Sequence, residues 1–409
     1  MCNWVKTFYT DQISCILRND PIISGIKFND SEYLANQYAD DTSLTLEDDP
    51  VSLERCLQIF DKFGDCAGLR ANLDKIQAVW FGSGHGCGIE YLPHRSLLWK
   101  HSGKFKVLGI EFDLGCPNKV INNFHTKLRK VKSVLNSWIH RELSYIGKIT
   151  VIKTLALPIF TQVLSVLPNP PKETFIDIQF IFFRFLWNNK RDKIKRKVIM
   201  NNYEEGGLKL PHIESYCYAL KISWIQKLLD PMNHSQWKLL LLDKIEKIRG
   251  GKVWLLKKVG IQKISTKFNP FWRNIFLNWS TILEGEEVND ATHVKCQPIW
   301  LNPSIKINGK VVLNEKLQEN GIFFINDIMK TNGNGLMSVE ELDLKYQITN
   351  VCMFYNSLLS CLPRFWKRLI QNSARLLSVT GSNMEQFDKI RNCIKTCKTF
   401  YNIFFEKIY

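Results

Sequence analysis

The spacing of apolar residues changes at about residue 118, and this change constrains the fold more than any other feature of the sequence. Before it, apolar side chains alternate over short stretches such as 31–46, which is typical of β-strands. After it, they recur every three or four positions over 121–138 and 143–166, as on one face of an α-helix. The sequence therefore predicts an α+β part followed by a mainly helical part.

Two adjacent aspartates, Asp40 and Asp41, lie inside the alternating stretch. Leu34, Asn36 and Tyr38 fall on one face before them, which predicts a β-hairpin with the aspartates at its tip. Neighbouring carboxylates repel each other, and a divalent cation is one of the few reasons to place them together at a turn. The alternative is an acidic tip that only faces water, because so short a motif also occurs by chance.

Charge is distributed unevenly along the chain, which has a formal net charge of +16. Residues 1–50 carry three basic and nine acidic side chains, whereas residues 119–200 carry sixteen basic and four acidic ones. An acidic segment followed by a basic one suits a metal ion in the first and a polyanion in the second. The alternative for the basic segment is a solvated helix surface without a ligand.

Several further elements are predicted from local patterns. A helix begins near Ser52, which could cap it, and ends at Gly64 or Gly68. Residues 76–83 and 103–112 are each interpreted as one strand. The pair Asn308-Gly309 between alternating apolar residues predicts a second hairpin. The tryptophans between Trp272 and Trp300 are interpreted as core residues, with base stacking as the less favoured alternative.

The chain has 409 residues, enough for two or three domains with their own cores. Its twelve cysteines show no disulfide framework spacing, and the first residues contain no secretory apolar segment. The most apolar stretch, 175–187, is interrupted by Asp177 and Arg184. We therefore expect an intracellular protein, in the cytoplasm or the nucleus, with reduced thiols and no membrane span.

Several segments resemble one family when they are read in order. The stretches "QYADDTSL", "GLRANLDKIQAVWFGS" and "KFKVLGIEF" resemble the palm of reverse transcriptases from LINE-type non-LTR retrotransposons. The stretch "RELSYIGKITVIKTLALPIFTQVLSVLPNPP" resembles the thumb of the same family. The resemblance implies a partial polymerase palm of antiparallel strands plus a helix at 1–115, a helical basic thumb at 116–200 and a mixed, mostly helical carboxyl-terminal region at 201–409.

The resemblance also implies roles for individual residues. Asp40 and Asp41 would be catalytic ligands of Mg²⁺, which is a cofactor of the family. Lys75 would be a catalytic residue that neutralises or protonates the leaving pyrophosphate, or else a plain surface lysine. The residues implied near the nucleotide or the primer end are Tyr38, Gly68, Leu108 and Gly109.

The partners implied by the resemblance are an RNA template and a DNA primer, with nucleotides as the only small-molecule substrates. Basic side chains of the thumb would contact the phosphate backbone through salt-sensitive interactions that carry no sequence information. The residues expected to make these contacts are Lys127, Arg129, Lys130, Lys132, Lys148, Lys153, Lys190, Arg191, Lys195, Arg196 and Lys197.

One departure from the family bears directly on activity. The palm of this family needs another metal-binding aspartate on a strand well upstream of the hairpin, and neither Asp11 nor Asp20 matches its pattern. We therefore expect a carboxyl-terminal part of an RNA-directed DNA polymerase, which joins nucleotides by two-metal chemistry in the full-length family but does not polymerise alone. The alternatives are a non-enzymatic nucleic-acid-binding remnant, and a polymerase completed by strands of another chain.

Overall fold

The computed structural model is mixed, with 57% helix and 12% strand, which confirms the predicted α+β class. The chain divides into two compact units, Met1–Thr126 and Lys127–Tyr409. The residues described by the structure are 12–28, 31–38, 41–68, 70–84, 88–93, 97–115, 121–230, 232–248, 255, 261–282, 291–295, 297–330, 335–348 and 350–373.

Among its described residues, the first unit contains small two-stranded sheets, two α-helices and the start of a third. Its elements are a helix at 12–19 (α1), β1 (Ile26–Phe28), β2 (Ser31–Tyr33), β3 (Ala35–Tyr38), β4 (Asp41–Leu44), α2 (Pro50–Ala67), β5 (Gln77–Ala78), β6 (Leu98–Trp99), β7 (Lys104–Val107) and β8 (Ile110–Asp113). The pairs β1–β2, β3–β4 and β7–β8 are antiparallel, and β5–β6 is parallel. A bridge between Gly25 and Leu46 connects the first two hairpins.

Helix α2 begins at a different cap from the predicted one. The Asp49 carboxylate accepts hydrogen bonds from the backbone N–H groups of Val51 and Ser52, and Pro50 is the first helical residue. Asp49 is therefore the N-cap, and the prediction of Ser52 was wrong. The Ser52 hydroxyl is buried one turn further on and donates to the Ile22 carbonyl at 3.1 Å.

Two of the predicted strands differ from those observed. Only Gln77–Ala78 of the 76–83 stretch is strand. The 103–112 stretch is a hairpin rather than one strand, because Leu108 and Gly109 have φ angles of 47° and 78°. Two successive left-handed residues form the tight turn that matches the twist of paired strands.

The second unit is mainly helical. Its elements are α3 (Ile121–Ile139, which begins in the first unit), α4 (Tyr145–Val151), α5 (Leu157–Val166), α6 (Lys172–Leu186), α7 (Arg196–Met200), α8 (Ile213–Leu229), α9 (Gln236–Glu246), α10 (Ile261–Ser265), α11 (Pro270–Ile282), α12 (Ala291–Lys295), β9 (Lys306–Ile307), β10 (Lys310–Val311), α13 (Glu315–Glu319), α14 (Val339–Tyr346), α15 (Cys352–Cys361) and α16 (Arg364–Ser373). The helices predicted from periodicity are thus confirmed. Asn308-Gly309 forms the predicted hairpin turn, with φ angles of 51° and 75°.

A π-helical stretch, Ile152–Ala156, joins α4 to α5, and the Leu157 N–H donates to the Ile152 carbonyl. Pro158 is the second residue after the stretch, where a wider turn accommodates a residue without an N–H. The combined helix, Tyr145–Val166, is the one helix among the described residues whose length and apolar composition would suit a membrane crossing. Its carboxyl-terminal half packs against α8, as core helices do.

Two apolar clusters lie in the described part of the second unit's core. One joins α8, α9 and α11 around Ile222 and Trp279, and the other spans 294–370 around Trp300 and Tyr355. The indole N–H groups of Trp279 and Trp300 each donate to a buried carbonyl at 2.6 Å. Both rings are buried, and Trp272 is half-buried against the first cluster, which confirms the interpretation of these tryptophans as core residues.

Candidate functional site

The aspartate hairpin has the register that the sequence predicts. Tyr38 pairs with Asp41 at the end of β3 and β4, so the connecting turn is two residues long. Both side chains are exposed, and Tyr38 is 65% exposed. The turn residues Ala39 and Asp40 lie outside the described residues, so the structure gives no geometry for the Asp40 carboxylate.

The hairpin tip offers an oxygen donor of the type that Mg²⁺ prefers. In the part of the chain that the structure describes, the Asp41 carboxylate stands at this tip, and no group of three or more His, Cys, Asp or Glu side chains could hold a metal ion. The donor chemistry fits a hard cation, but two-metal chemistry needs several carboxylates that converge from more than one strand.

The other palm-like residues of the first unit lie on separate turns. Lys75 is exposed and ends a 3₁₀ turn, Leu73–Lys75, before β5. Gly68 has a φ of 70° and ends α2, where its N–H donates to the Gly64 carbonyl at 2.9 Å. Leu108 and Gly109 form the turn between β7 and β8, and Leu108 is 40% exposed. Gly68 and Gly109 therefore have structural reasons to be glycine, whatever they bind.

The basic residues of α3 lie opposite a buried apolar face. Leu128, Val131 and Leu135 are buried, whereas Arg129 and Lys130 are exposed. Lys132 is also exposed and Lys127 is half-buried. Since a buried stripe fixes the rotation of the helix, these cations are held on one side by the packing of α3 itself.

Lys148 differs from the other predicted phosphate-binding residues. It is only 3% exposed, and its ammonium group donates to the Leu186 carbonyl at 3.2 Å and to the side-chain oxygen of Asn188. Burial lowers the pKa of its ammonium group below the usual range for lysine. Lys148 thus caps the carboxyl end of α6, a role that sequence reasoning missed.

Lys153 is half-buried in the π-helical stretch, close enough to Lys209 for the two charges to interact. Burial first, and then the positive charge of Lys209, lower the pKa of Lys153. Lys209 has a left-handed φ of 55°, and its ammonium group lies 4.7 Å from the Tyr203 ring centroid. An anion between the two lysines would relieve their repulsion.

The basic run after α6 is exposed, as predicted, except for Arg196. Arg196 is half-buried, pairs with Asp192 at 2.8 Å and packs over the Phe183 ring at 4.7 Å. Lys190, Arg191, Lys195 and Lys197 remain exposed. The structure therefore places most of the predicted cations at the surface of one unit, on α3 and on the 188–197 segment.

Sequence reasoning missed a groove that lies between α3 and α6. Phe180 is 45% exposed there, and the Arg184 guanidinium packs over its ring at 5.6 Å. The sequence signal for this groove was the pair of charges, Asp177 and Arg184, that interrupts the apolar stretch 175–187. In the sequence analysis these charges were used only to exclude a membrane span.

Comparison with models of protein families found none that matches this chain.

Proposed function

We propose that this chain is the carboxyl-terminal part of an RNA-directed DNA polymerase of a non-LTR retrotransposon. In this role it binds an RNA template and a DNA primer through the second unit and contributes one carboxylate hairpin to nucleotidyl transfer. The observation that carries the proposal is the register of that hairpin. Tyr38 pairs with Asp41 across a two-residue turn, so the segment that resembles the metal-binding motif of the palm lies at a hairpin tip.

The surface of the second unit supports the nucleic-acid part of the proposal. Arg129, Lys130 and Lys132 extend from a helix whose opposite face is buried, and the exposed cations of the 188–197 segment add to the same charge. Phosphate contacts from such residues give sequence-independent binding that weakens as salt rises. This property suits a protein that must follow a template–primer of any sequence.

The hairpin supports the catalytic part. Asp41, and by resemblance Asp40, would hold Mg²⁺ at the tip, and Tyr38 would lie beside the nucleotide or the primer end. When bound, Mg²⁺ stabilises the attacking and leaving oxygens during nucleotidyl transfer. Lys75 would neutralise the leaving pyrophosphate. Because the hairpin supplies only part of such a site, the proposal includes that the chain by itself does not extend a primer.

The decisive experiment is complementation between two polypeptides. The purified chain is given a labelled primer annealed to an RNA template, with Mg²⁺ and nucleotides, alone and then with a polypeptide that carries the fingers and upstream palm of such an enzyme. We expect no extension by the chain alone and extension by the mixture. Asp40→Ala and Asp41→Asn should each abolish that extension while leaving template–primer binding within about twofold, because the phosphate contacts lie elsewhere.

A second candidate function is nucleic-acid binding without catalysis. It is favoured by the position of the predicted basic residues, all of which belong to the unit Lys127–Tyr409, whereas the hairpin belongs to the other unit. Salt-sensitive binding with no extension in the mixture would favour this candidate. In either case, replacing Lys130 and Lys132 with Gln should reduce the slope of log affinity against log salt by roughly 1 for each contact. Lys310→Gln, which removes one charge from an exposed residue of β10, is the control for each of the two replacements made singly.

A further inference from the structure

A groove runs between α3 and α6 in the second unit. Its volume is about 360 Å³. Its lining includes Lys132 on α3, Asp177, Phe180 and Arg184 on α6, and Asn189 after it. A space of this size is at the lower end of the range of small-molecule pockets, which run from about 300 to 1,000 Å³.

The groove presents an aromatic ring that the core does not use. Phe182, Phe183 and Phe185 on the same helix are buried, whereas Phe180 is 45% exposed. The Arg184 guanidinium carbon lies 5.6 Å from the Phe180 ring centroid, and the Arg184 Nε donates to the Asn189 side-chain oxygen at 3.0 Å. The hydrogen bond to Asn189 therefore holds the guanidinium group beside the ring.

The charges in and near the groove favour an anionic ligand. Lys132 and Arg184 line it together with one carboxylate, Asp177. Lys190 and Arg191 directly follow Asn189 at the edge of the groove, and both are exposed. A flat aromatic surface flanked by cations is the combination that binds single-stranded nucleic acid, because bases stack on the ring while phosphates contact the cations.

We propose that this groove binds one unpaired nucleotide of single-stranded RNA. The base stacks on Phe180, and Lys132 and Arg184 contact the flanking phosphates. The groove is too small for a duplex, whose bases are in any case stacked on each other. This inference rests on the proposed function, and it assigns to the second unit a site for unpaired template in addition to the phosphate contacts along the duplex.

The test compares a labelled single-stranded RNA of about twelve nucleotides, within the usual site size of such proteins, with an RNA–DNA duplex of the same length. Fluorescence anisotropy measures the affinity of the full chain for each. Phe180→Ala should weaken single-strand binding roughly tenfold, the value of one lost stacking contact, and leave duplex binding within about twofold. Phe180→Leu, which keeps apolar bulk without a flat ring, should behave like Phe180→Ala, and Phe180→Trp should retain binding.

Ile176→Ala provides the matched control. Ile176 lies one turn before Phe180 on α6, is 63% exposed and does not line the groove. Equal single-strand affinities for Phe180→Ala and Ile176→Ala, with both variants folded by circular dichroism, would overturn the inference. A second result would also overturn the inference: Phe180→Ala weakens the binding of an acidic amphipathic peptide but not the binding of RNA. That result would assign the groove to a protein partner. If the unsubstituted chain binds neither nucleic acid, the proposed function itself fails.

Discussion

The two units of the chain hold their charged residues in different ways. In the first, Tyr38 and Asp41 stand at the end of a two-stranded hairpin, and the core of that unit is a small cluster around Leu17, Leu34 and Cys56. In the second, the exposed cations extend from α3, whose opposite face is buried, and from the 188–197 segment. In the first arrangement, the position of the carboxylate is set only by the pairing of its own two strands. In the second, the packing of the buried face sets the positions of several cations at once.

This difference bears on how much of the proposed function each unit can carry. A two-metal site needs carboxylates from several strands held in one geometry, which a hairpin tip does not provide alone. A phosphate-binding surface needs only cations on a rigid support. Under the proposed function, nucleic-acid binding would therefore belong to the second unit by itself, and chemistry would need more than the hairpin. If the two units are independent in this sense, a change in one should leave the other unaffected.

The largest effect is expected in the core of the second unit. Phe182 is fully buried on α6, so Phe182→Ala should lower the free energy of unfolding of that unit by about 3–5 kcal/mol. Two buried thiols can report the units separately. Cys56 lies in the first unit and Cys217 in the second, and burial raises the pKa of each thiol to about 12. Pulsed thiol labelling at increasing urea, read by mass spectrometry, follows both in one sample.

Phe182→Ala should shift the labelling of Cys217 to lower urea and leave that of Cys56 where it was. The control is Ile176→Ala on the exposed face of the same helix, which should change the free energy by less than about 0.5 kcal/mol. A parallel shift of both thiols would contradict the separation, because it would mean that the two units unfold as one cooperative structure.

A second, smaller effect depends on pH and should also be confined to the second unit. His212 is buried at the start of α8, where its Nδ1 accepts from the Ser215 N–H, and burial lowers its pKa from 6.5 to about 4. Between these values the unfolded chain binds a proton that the folded chain does not. The stability of this unit should therefore fall as pH falls from 6.5 to 4, by about 2 kcal/mol at pH 4.5.

His212→Asn removes the titration and leaves a side-chain oxygen that can accept the same hydrogen bond. The difference between the two proteins in Cys217 labelling should therefore change with pH in this window, whereas Cys56 labelling should follow the same pH course in both. Identical acid dependence of Cys217 in the two proteins would mean that other groups account for it.

What could be predicted from the sequence was local. The β3–β4 hairpin follows from alternation around two aspartates, and α3 follows from apolar residues at helical spacing. The cap of α2 was missed although Pro50 marks the first helical residue and Asp49 precedes it. The residue pattern alone did not predict the turn at Leu108, because a leucine rarely takes a left-handed conformation, and only the resemblance placed a turn there.

What could not be predicted depends on contacts between distant segments. Lys148 shares its helix with exposed residues, and its burial depends on carbonyl and amide groups thirty-eight and forty positions further along the chain. The groove at Phe180 is lined by α6 and α3; Asp177 and Arg184 mark the exposed side of α6, but nothing within α6 specifies that α3 lies beside it. Spacing along the chain thus indicates which residues share a helix face, but not what covers that face.

The third effect separates Lys148 from the basic residues with which the resemblance groups it. Lys148→Met keeps the buried methylene chain but removes the donor to the Leu186 carbonyl and to Asn188. We expect the free energy of unfolding to fall by about 1–2 kcal/mol. This is less than the loss of two charged hydrogen bonds would give, because the substitution also removes the cost of burying a charge. RNA affinity should stay within about twofold when the protein is folded.

Lys130→Gln is the counterpart of this change. Lys130 is exposed on α3, so its replacement should leave Cys217 labelling unchanged while it weakens binding and reduces the salt dependence by about one contact. If Lys148→Met weakens binding as much as Lys130→Gln does, the ammonium group must reach the nucleic acid, and its capping role is then secondary.

The smallest effect is expected at Gly68, in the first unit. Its φ of 70° is costly for any residue with a Cβ, and an added Cβ would meet no atom within 4 Å. Gly68→Ala should therefore lower the free energy of unfolding only through its unfavourable backbone conformation, by about 1 kcal/mol. Gly68→Asn should lower it less, because asparagine tolerates left-handed geometry. Cys56 labelling should shift slightly to lower urea and Cys217 labelling not at all.

In the complementation assay, primer extension should fall no further with Ala than with Asn. A large loss of extension with both, at unchanged Cys56 labelling, would instead place Gly68 against the nucleotide, as the reverse transcriptase resemblance implies, and make the cap of α2 part of the site.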